Sequence, residues 1–382
     1  MNNETRKETQ VLPKDVRYVG ADDLTLPLFE NQYPVQPMGV SYNSYLILDE
    51  KVAVMDSVDA RAADEWLAKL AHELDGRSPD YLVISHMEPD HSGSILRLAE
   101  KYQEMKLVGN TKTFTMLRQF FGAKAPTDDR LLEVGEGETL PLGAHTLHFM
   151  LAPMVHWPEV MVAYEETEKI LFSADAFGRF GSLGRTANAP WAPQARRYYY
   201  NIVGKYGAQV QALLKKASAL EIETICPLHG PVLTGGALAE ALRLYDLWSR
   251  WQSEAPEEIL LAHASIHGNT ARAAELLKQK LEAKGARVTL CDLTTTEVSY
   301  AVANAFYCGK LVLACSTYDG GLFPPMEEFL SHLQAKGFRD RSVGLMENGS
   351  WAPAAARLMR ARLEEMKDLR VCGTVVSLRS AL

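Results

Sequence analysis

Short apolar runs alternate with longer amphipathic stretches along this chain, a pattern that predicts strands alternating with helices. Residues 41–48 read as one strand, 49–51 as a polar turn and 52–56 as the next strand. Trp66, Leu67, Leu70 and Leu74 share one face of a helix predicted over 60–74. The run 81–84 reads as a buried strand, and Gly93-Ser94 opens a helical pattern through Ile95, Leu96, Leu98 and Ala99. Further strands are predicted at 106–109, 130–134, 146–150, 160–164, 169–173 and 224–227, and helices at 111–121, 197–217 and 237–251. After a charged, proline-containing linker at 254–258 the alternation becomes regular. Strands at 259–264, 287–291, 310–314, 342–346 and 369–376 alternate with helices at 270–284, 297–306, 325–336 and 353–366. That order predicts a doubly wound parallel sheet. Two domains follow, 1–253 and 254–382, and 382 residues suffice for both.

The loop between the 81–84 strand and the next helix concentrates the chemistry. It reads Ser85-His86-Met87-Glu88-Pro89-Asp90-His91-Ser92-Gly93. Pro89 keeps Glu88 out of helical geometry, so His86, Glu88 and Asp90 are expected to alternate along extended backbone. Imidazoles with carboxylates form the ligand set of a metal ion. The plainer alternative is a polar loop with Asp90 or Ser92 capping the helix. His156, Asp175 and His229 each follow a predicted strand end, where α/β folds gather their chemistry. Singly each could be structural; together they complete a site.

In the second domain, Ser265, Ile266, His267, Gly268, Asn269 and Thr270 lie between its first strand and first helix. Hydroxyls, a glycine and helix-start amides there make a phosphate cradle. No lysine follows Gly268, so this is not a Walker loop, and it is not G-x-G-x-x-G. Ser316, Thr317, Tyr318, Asp319, Gly320 and Gly321 follow the third strand, and Glu347, Asn348, Gly349, Ser350 and Trp351 follow the fourth.

Composition narrows the classes. Hydrophobic content of 47% and charged content of 23% are those of a globular protein. The net charge of −8 argues against nucleic acid or an anionic membrane as partner. The polar N-terminus, Met1 to Lys7, has no signal-peptide pattern, and no apolar run approaches the length of a membrane span. Five scattered cysteines contain no C-x-x-C pair, which argues against a disulfide framework, a cysteine zinc site or an iron–sulfur cluster. Cytoplasmic residence is the default expectation.

His86-x-Glu88-x-Asp90-His91, with His156 65 residues on, Asp175 19 further and His229 54 further, resembles the metallo-β-lactamase signature H-x-H-x-D-H. Glu88 stands where the second histidine would be, which is similar to the flavodiiron proteins. A carboxylate in place of an imidazole adds charge and hard oxygen, favouring iron over zinc. The 265–270 loop resembles the FMN-phosphate loop of flavodoxins, and closely the S-x-x-G-N-T form of the flavodiiron family. The resemblance implies an N-terminal metallo-β-lactamase-like αββα sandwich followed by a flavodoxin-like domain. It implies a non-haem diiron centre with one iron held by His86, Glu88, His156 and Asp175, and the other by Asp90, His91, Asp175 and His229, Asp175 bridging. It implies FMN between the three loops of the second domain.

The activity so implied is reduction of O2 to water or of NO to N2O, with electrons passed through FMN from a separate rubredoxin-type donor. A head-to-tail homodimer, or a dimer of dimers, would bring the flavin of one copy to the iron of another. Three departures stand out. Glu30 follows Phe29 where many family members have a histidine near the iron pocket; the 348–351 loop has an unfamiliar form; and the chain stops soon after its fifth strand, which predicts a thinly covered sheet face or a partner subunit covering it. Tyr198 and Tyr199 read as core aromatics rather than substrate donors. Two other classes remain: a zinc hydrolase of the same superfamily with an accessory flavodoxin domain, and an electron carrier with a degenerate metal site.

Overall fold

The computed structural model describes residues 12–381; the polar segment Met1 to Lys7 lies outside them. The chain divides into two compact units, residues 1–199 with 208–246, and residues 200–207 with 247–382.

The first unit is built on two six-stranded sheets. One runs in the order Val16–Tyr18, Tyr45–Ile47, Ala53–Met55, Tyr81–Val83, Lys106–Gly109, Leu131–Glu133. The other runs Thr139–Pro141, Thr146–Leu151, Met161–Glu165, Ile170–Phe172, Thr224–Cys226, Leu233–Thr234. Tyr45, Ile47, Val83 and Val108 of the first sheet and Leu147, Phe149, Ala163 and Phe172 of the second share one core cluster, each at most 2% exposed. Helix Ala63–Leu74 buries Trp66, Leu70 and Leu74 on the predicted face. The layers are those of an αββα sandwich.

The second unit is a parallel sheet in the order Val288–Asp292, Ala255–Ala264, Cys308–Tyr318, Ser342–Asn348, Arg370–Leu378. The strand order reverses beside Ala255–Ala264, so a crevice opens at the carboxyl ends of the two strands flanking that point. None of the nine residues of Arg370–Leu378 is buried.

Four expectations are corrected. The run 41–48 is two strands, Val40–Tyr42 and Tyr45–Ile47, which belong to different sheets. The chain breaks at Asn43 because that residue turns inward. Its side-chain amide donates to the carbonyls of Pro227 and Gly230, both at 2.8 Å, and its own N–H donates to Leu228 O at 2.8 Å.

The helix expected over 197–217 is a series: helix Trp191–Tyr198, a π-turn Tyr199–Val203, a 3-10 turn Gly204–Tyr206 and helix Gly207–Ala217. A side chain at Gly207 would lie 2.3 Å from Ser249 O, so backbone passes too close for a continuous ordinary helix surface there.

The linker expected at 254–258 is the start of strand Ala255–Ala264, where Ala255 pairs with Cys308. The fourth correction concerns the loop after Tyr81–Val83. Glu88 is extended, at φ −58 and ψ 141, but Pro89–Ser92 forms a helical turn, with the N–H groups of His91 and Ser92 donating to Glu88 O. Pro89 pre-sets φ at the first helical position, so the restriction it places on Glu88 ends with Glu88. Asp90 and Ser92 lie within the turn rather than capping it.

Replacing Asn43 with Ala removes its bonds to Pro227 O and Gly230 O and the one it accepts from the Tyr18 hydroxyl; Tyr45 still donates to Pro227 O, but Gly230 O loses its side-chain donor. The expected loss is about 1–3 kcal/mol in chemical denaturation of the first unit. A variant as stable as the parent would show that the Pro227–Gly230 turn is held by other contacts.

Candidate metal centre and ligand pocket

His86, Asp175 and His229 each stand three residues past the end of a strand, Tyr81–Val83, Ile170–Phe172 and Thr224–Cys226 respectively. The latter two strands are parallel neighbours and so deliver Asp175 and His229 at the same sheet edge. His156 precedes Met161–Glu165, and Asp90 and His91 come from the Pro89–Ser92 turn. Two groups result, His86, Glu88, His156 and Asp175, and Asp90, His91 and His229, each with potential ligand atoms within 4.8 Å of one another.

All seven residues singled out from the sequence are therefore brought together. Asp175 faces both groups. Its Oδ2 lies 3.0 Å from His156 Nε2 and 3.4 Å from His86 Nε2; its Oδ1 lies 3.2 Å from His91 Nε2 and 3.6 Å from His229 Nε2. His156 Nε2 is also 3.1 Å from Glu88. His91 Nε2 and His229 Nε2 face each other at 3.1 Å.

Glu88 and Asp90 have the most exposed side chains of the seven, at 12% and 11%. Both line a cavity of about 380 Å³ whose other walls include Leu26, Leu28, Phe29, Glu30 and Arg61. Glu30 thus borders the site's opening. Tyr198 is buried with its ring 5.5 Å from that of His229, so it adjoins the ligand cluster, and Tyr199 is buried against Tyr245 at 5.0 Å. The Tyr198 phenol is pushed well up by burial and then by the charges of Asp175, Asp90 and Glu88.

In the second unit the three loops line one cavity of about 450 Å³. Ser265, Ile266, His267, Asn269, Thr270, Ser316, Thr317, Tyr318, Asp319, Gly320, Asn348, Gly349, Ser350 and Trp351 all border it, joined by Ala352 and Ser380. Gly268 instead stands at the N-cap of helix Asn269–Glu282 with φ 84, a conformation suited to glycine. No side chain caps that helix, so its first amides are open to a ligand. Thr270 and Ser316 share a hydroxyl–hydroxyl bond of 2.8 Å. The Thr317 hydroxyl accepts from the amides of Ala354 and Ala355 at 3.0 and 3.3 Å, so it serves the start of helix Ala355–Glu364. Asn348 and Ser380 exchange two bonds, Nδ2 to O at 2.9 Å and N to Oδ1 at 3.0 Å. Trp351 is 88% exposed.

Residues 40–230, half of the chain, match the model of the ODP family beta lactamase. The rubredoxin-oxygen oxidoreductase of Megalodesulfovibrio gigas is 27% identical over 360 residues, covering 91% of this chain and 87% of that protein. The anaerobic nitric oxide reductase flavorubredoxin of Vibrio vulnificus is 27% identical over 364 residues, covering 92% of this chain and 72% of that protein. The crystal structure of the flavodiiron protein from Giardia intestinalis superposes with a TM-score of 0.89 at 26% identity, covering 98% of this chain and 91% of that one. The chain belongs to the ODP beta-lactamase family and is of the flavodiiron type.

The residues of this flavodiiron chain fit the cofactors that type implies. Both Asp90 oxygens and Asp175 Oδ1 are buried without a hydrogen-bond partner among the described residues, and the His91 and His229 nitrogens converge on one point. Buried polar atoms are rarely left so unless an ion or ordered water satisfies them, and carboxylate oxygens facing ligand imidazoles suit an ion. Imidazole and carboxylate donors suit iron. In the second unit, Ser265 Oγ is likewise buried without a partner beside the open helix start, which fits a phosphate.

Two supporting features were not legible beforehand. Glu159, three residues after His156, accepts from His86 Nδ1 at 2.7 Å and from Met87 N at 2.9 Å. Burial opposes its charge, but those bonds and the His86 charge hold its carboxyl below the usual range. A carboxylate so close to a ligand histidine, across Pro158, was the available signal. Ser41 holds the other end: its carbonyl accepts from His229 Nδ1 at 2.7 Å, and its hydroxyl from Gly230 N at 2.8 Å. A serine inside an apolar strand gave no such signal.

Burial lowers the affinity of His156 for a proton, but its bonds to Asp175 and Glu88 prevail and raise it to about 9. In metal-free protein His156 is then protonated at neutral pH, whereas a metal ligand must be neutral. Its raised pKa stabilises the metal-free fold fully below about pH 6.5, the unfolded value, and that contribution is lost as pH rises through about 9. Loading metal at pH 7 should release protons, read with an indicator dye in weak buffer, and the release should shrink above pH 9. Proton-neutral loading at pH 7 would contradict the assignment of His156 as a ligand.

Proposed function

We propose that this protein is an oxidoreductase that reduces O2 to water, NO to N2O, or both, at a non-haem diiron centre fed through FMN. The observation that carries this reading is Asp175, which offers one carboxylate oxygen to each of two ligand groups. A carboxylate so placed suits two adjacent ions rather than one. His86, Glu88, His156 and Asp175 would hold one iron, and Asp90, His91, Asp175 and His229 the other. Ser265 to Thr270 would hold the FMN phosphate, with the 316–320 and 348–351 loops beside the ring. The metal-binding domain is proposed to span 1–253 and the flavin domain 254–382.

When bound, the two irons would give one electron each, which with two protons suffices for a pair of NO, and FMN reduced by the donor would return electrons to them, so that O2 receives four electrons and four protons in all. The chain's own residues do the rest. Buried imidazoles and carboxylates fix the ions where bulk water has little access. Glu88 and Asp90 border the cavity through which a small substrate reaches the centre. Leu26, Leu28 and Phe29 give that cavity apolar walls suited to a diatomic gas. Phe29 also packs edge-on to the His229 ring at 5.3 Å and limits its movement.

The relatives' names point the same way: one is named for oxygen and rubredoxin, the other for nitric oxide. A rubredoxin-type protein is the donor we propose, and a head-to-tail homodimer the assembly, with the flavin of one copy serving the irons of another. Among the described residues no helix is long and apolar enough to cross a membrane. The cysteines form no disulfide, and cytoplasmic residence is the proposed location. The zinc hydrolase reading is disfavoured by Glu88 in the first ligand group and by flavodiiron relatives that match across both units.

Anaerobically purified protein should hold about two irons and one FMN per chain, as the two ligand groups and one pocket require. With reduced rubredoxin it should consume O2 or NO, and Asp175→Ala should lose both irons and that turnover while retaining FMN. Zinc in place of iron with no gas consumption would move the assignment to a hydrolase. FMN without any metal would leave an electron carrier.

A further inference from the structure

Glu159 has no place in either ligand group, yet its side chain is fully buried against the first. Its backbone is fixed by Asn110, whose side-chain amide donates to Glu159 O at 2.6 Å while its Oδ1 caps helix Thr111–Phe121. One oxygen, Oε1, takes both the His86 ring N–H and the Met87 amide. The other, Oε2, is buried without a hydrogen-bond partner among the described residues. Among those residues its ion pairing is with His86 alone. A buried carboxylate without a lysine or arginine is costly to keep. Here it is turned toward the back of an imidazole whose front, Nε2, faces Glu88 and Asp175.

The second group is backed differently. His229 Nδ1 donates to a neutral carbonyl, Ser41 O, at 2.7 Å. His91 Nδ1 is buried without a partner among the described residues. Asp56, buried and accepting from Ser85 N at 2.7 Å, adds acidic charge near both His91 and His86. What separates the two groups is a carboxylate bonded directly to the back of a ligand ring, which His86 has and His229 lacks.

We propose that Glu159 is a positioning residue that makes the two metal positions unequal: it locks His86 with the proton on Nδ1 and stabilises the more highly charged ion in the His86 group. This rests on the diiron reading above. The physical basis is twofold. A carboxylate behind a ligand histidine fixes its tautomer and orientation and raises its basicity. Its charge, close to one ion and in a low-dielectric interior, favours the ferric over the ferrous state there.

Two variants separate the effects. Glu159→Gln keeps an oxygen to accept from His86 and Met87 but removes the charge. Glu159→Ala removes both. Iron content, cobalt(II) titration followed by absorption, and potentiometric EPR of the irons are measured on the flavin-loaded full chain, with FMN content checking the fold. The parent should reduce in two separated steps. Glu159→Gln should retain two irons and shift the lower-potential step upward, narrowing the separation. Glu159→Ala should bind cobalt(II) about 10–100-fold more weakly.

Unchanged steps in Glu159→Gln would overturn the inequality of the two positions, and unchanged cobalt affinity in Glu159→Ala would overturn the anchoring role. A parent that binds cobalt(II) but shows no iron redox signal would instead sink the diiron reading, while the cobalt comparison still decides whether Glu159 anchors His86.

Discussion

Carboxylates and imidazoles packed together out of water repel, strand their lone pairs and lose hydration unless a cation holds them. That constraint governs the first unit. Asp175 is 1% exposed and His86 and His229 are fully buried, yet their polar atoms point at one another. Only strand ends already fixed by a packed core can bring them into such a place. The two sheets meet over Phe149, Phe172 and Val83, and this apolar contact supplies the rigidity that the polar cluster itself lacks. Behind the ligands stand a carboxylate, a carbonyl and a side-chain amide, from Glu159, Ser41 and Asn43, each fixing a ring or a turn. The polar centre and the apolar core are thus two parts of one solution.

The second unit meets a gentler version of the same constraint. A helix start without a cap leaves amide donors open, and a glycine at φ 84 lets the chain turn into them. The hydroxyls around that start are small and flexible enough to meet an anion without crowding it. The aromatic rim is different in kind: Tyr318 at 44% and Trp351 at 88% exposure present flat surface to whatever occupies the crevice.

Much of this was legible in the sequence because it is local. Two histidines and two carboxylates within six positions mark a site from the chain alone. The three loops of the second unit were legible because a regular strand–helix alternation assigns each βα turn to one sheet edge. His156, Asp175 and His229 were legible only as a set at strand ends. What escaped depends on contacts far apart in sequence. Asn43 and Gly230 are separated by 187 positions, and nothing near Asn43 shows that it will interrupt a strand to hold a distant turn. Thr317 stands in a predicted binding loop, but its hydroxyl is already committed to a helix start. The 254–258 segment has the charge and proline of a linker, and only its pairing with Cys308 makes it strand. At 197–217 apolar periodicity suggested one helix, whereas close backbone approach at Gly207 and packing of Tyr200 on Phe306 at 3.9 Å break it.

The distribution of ligands along the chain has a consequence for biosynthesis. The His86 group is complete once residue 175 has been made, but the other group waits for His229. Domains generally fold in the order in which they leave the ribosome. A nascent chain therefore passes through a stage in which one group has all its side chains and its neighbour lacks one. At that stage only one of the two groups offers a complete set of side chains to an ion.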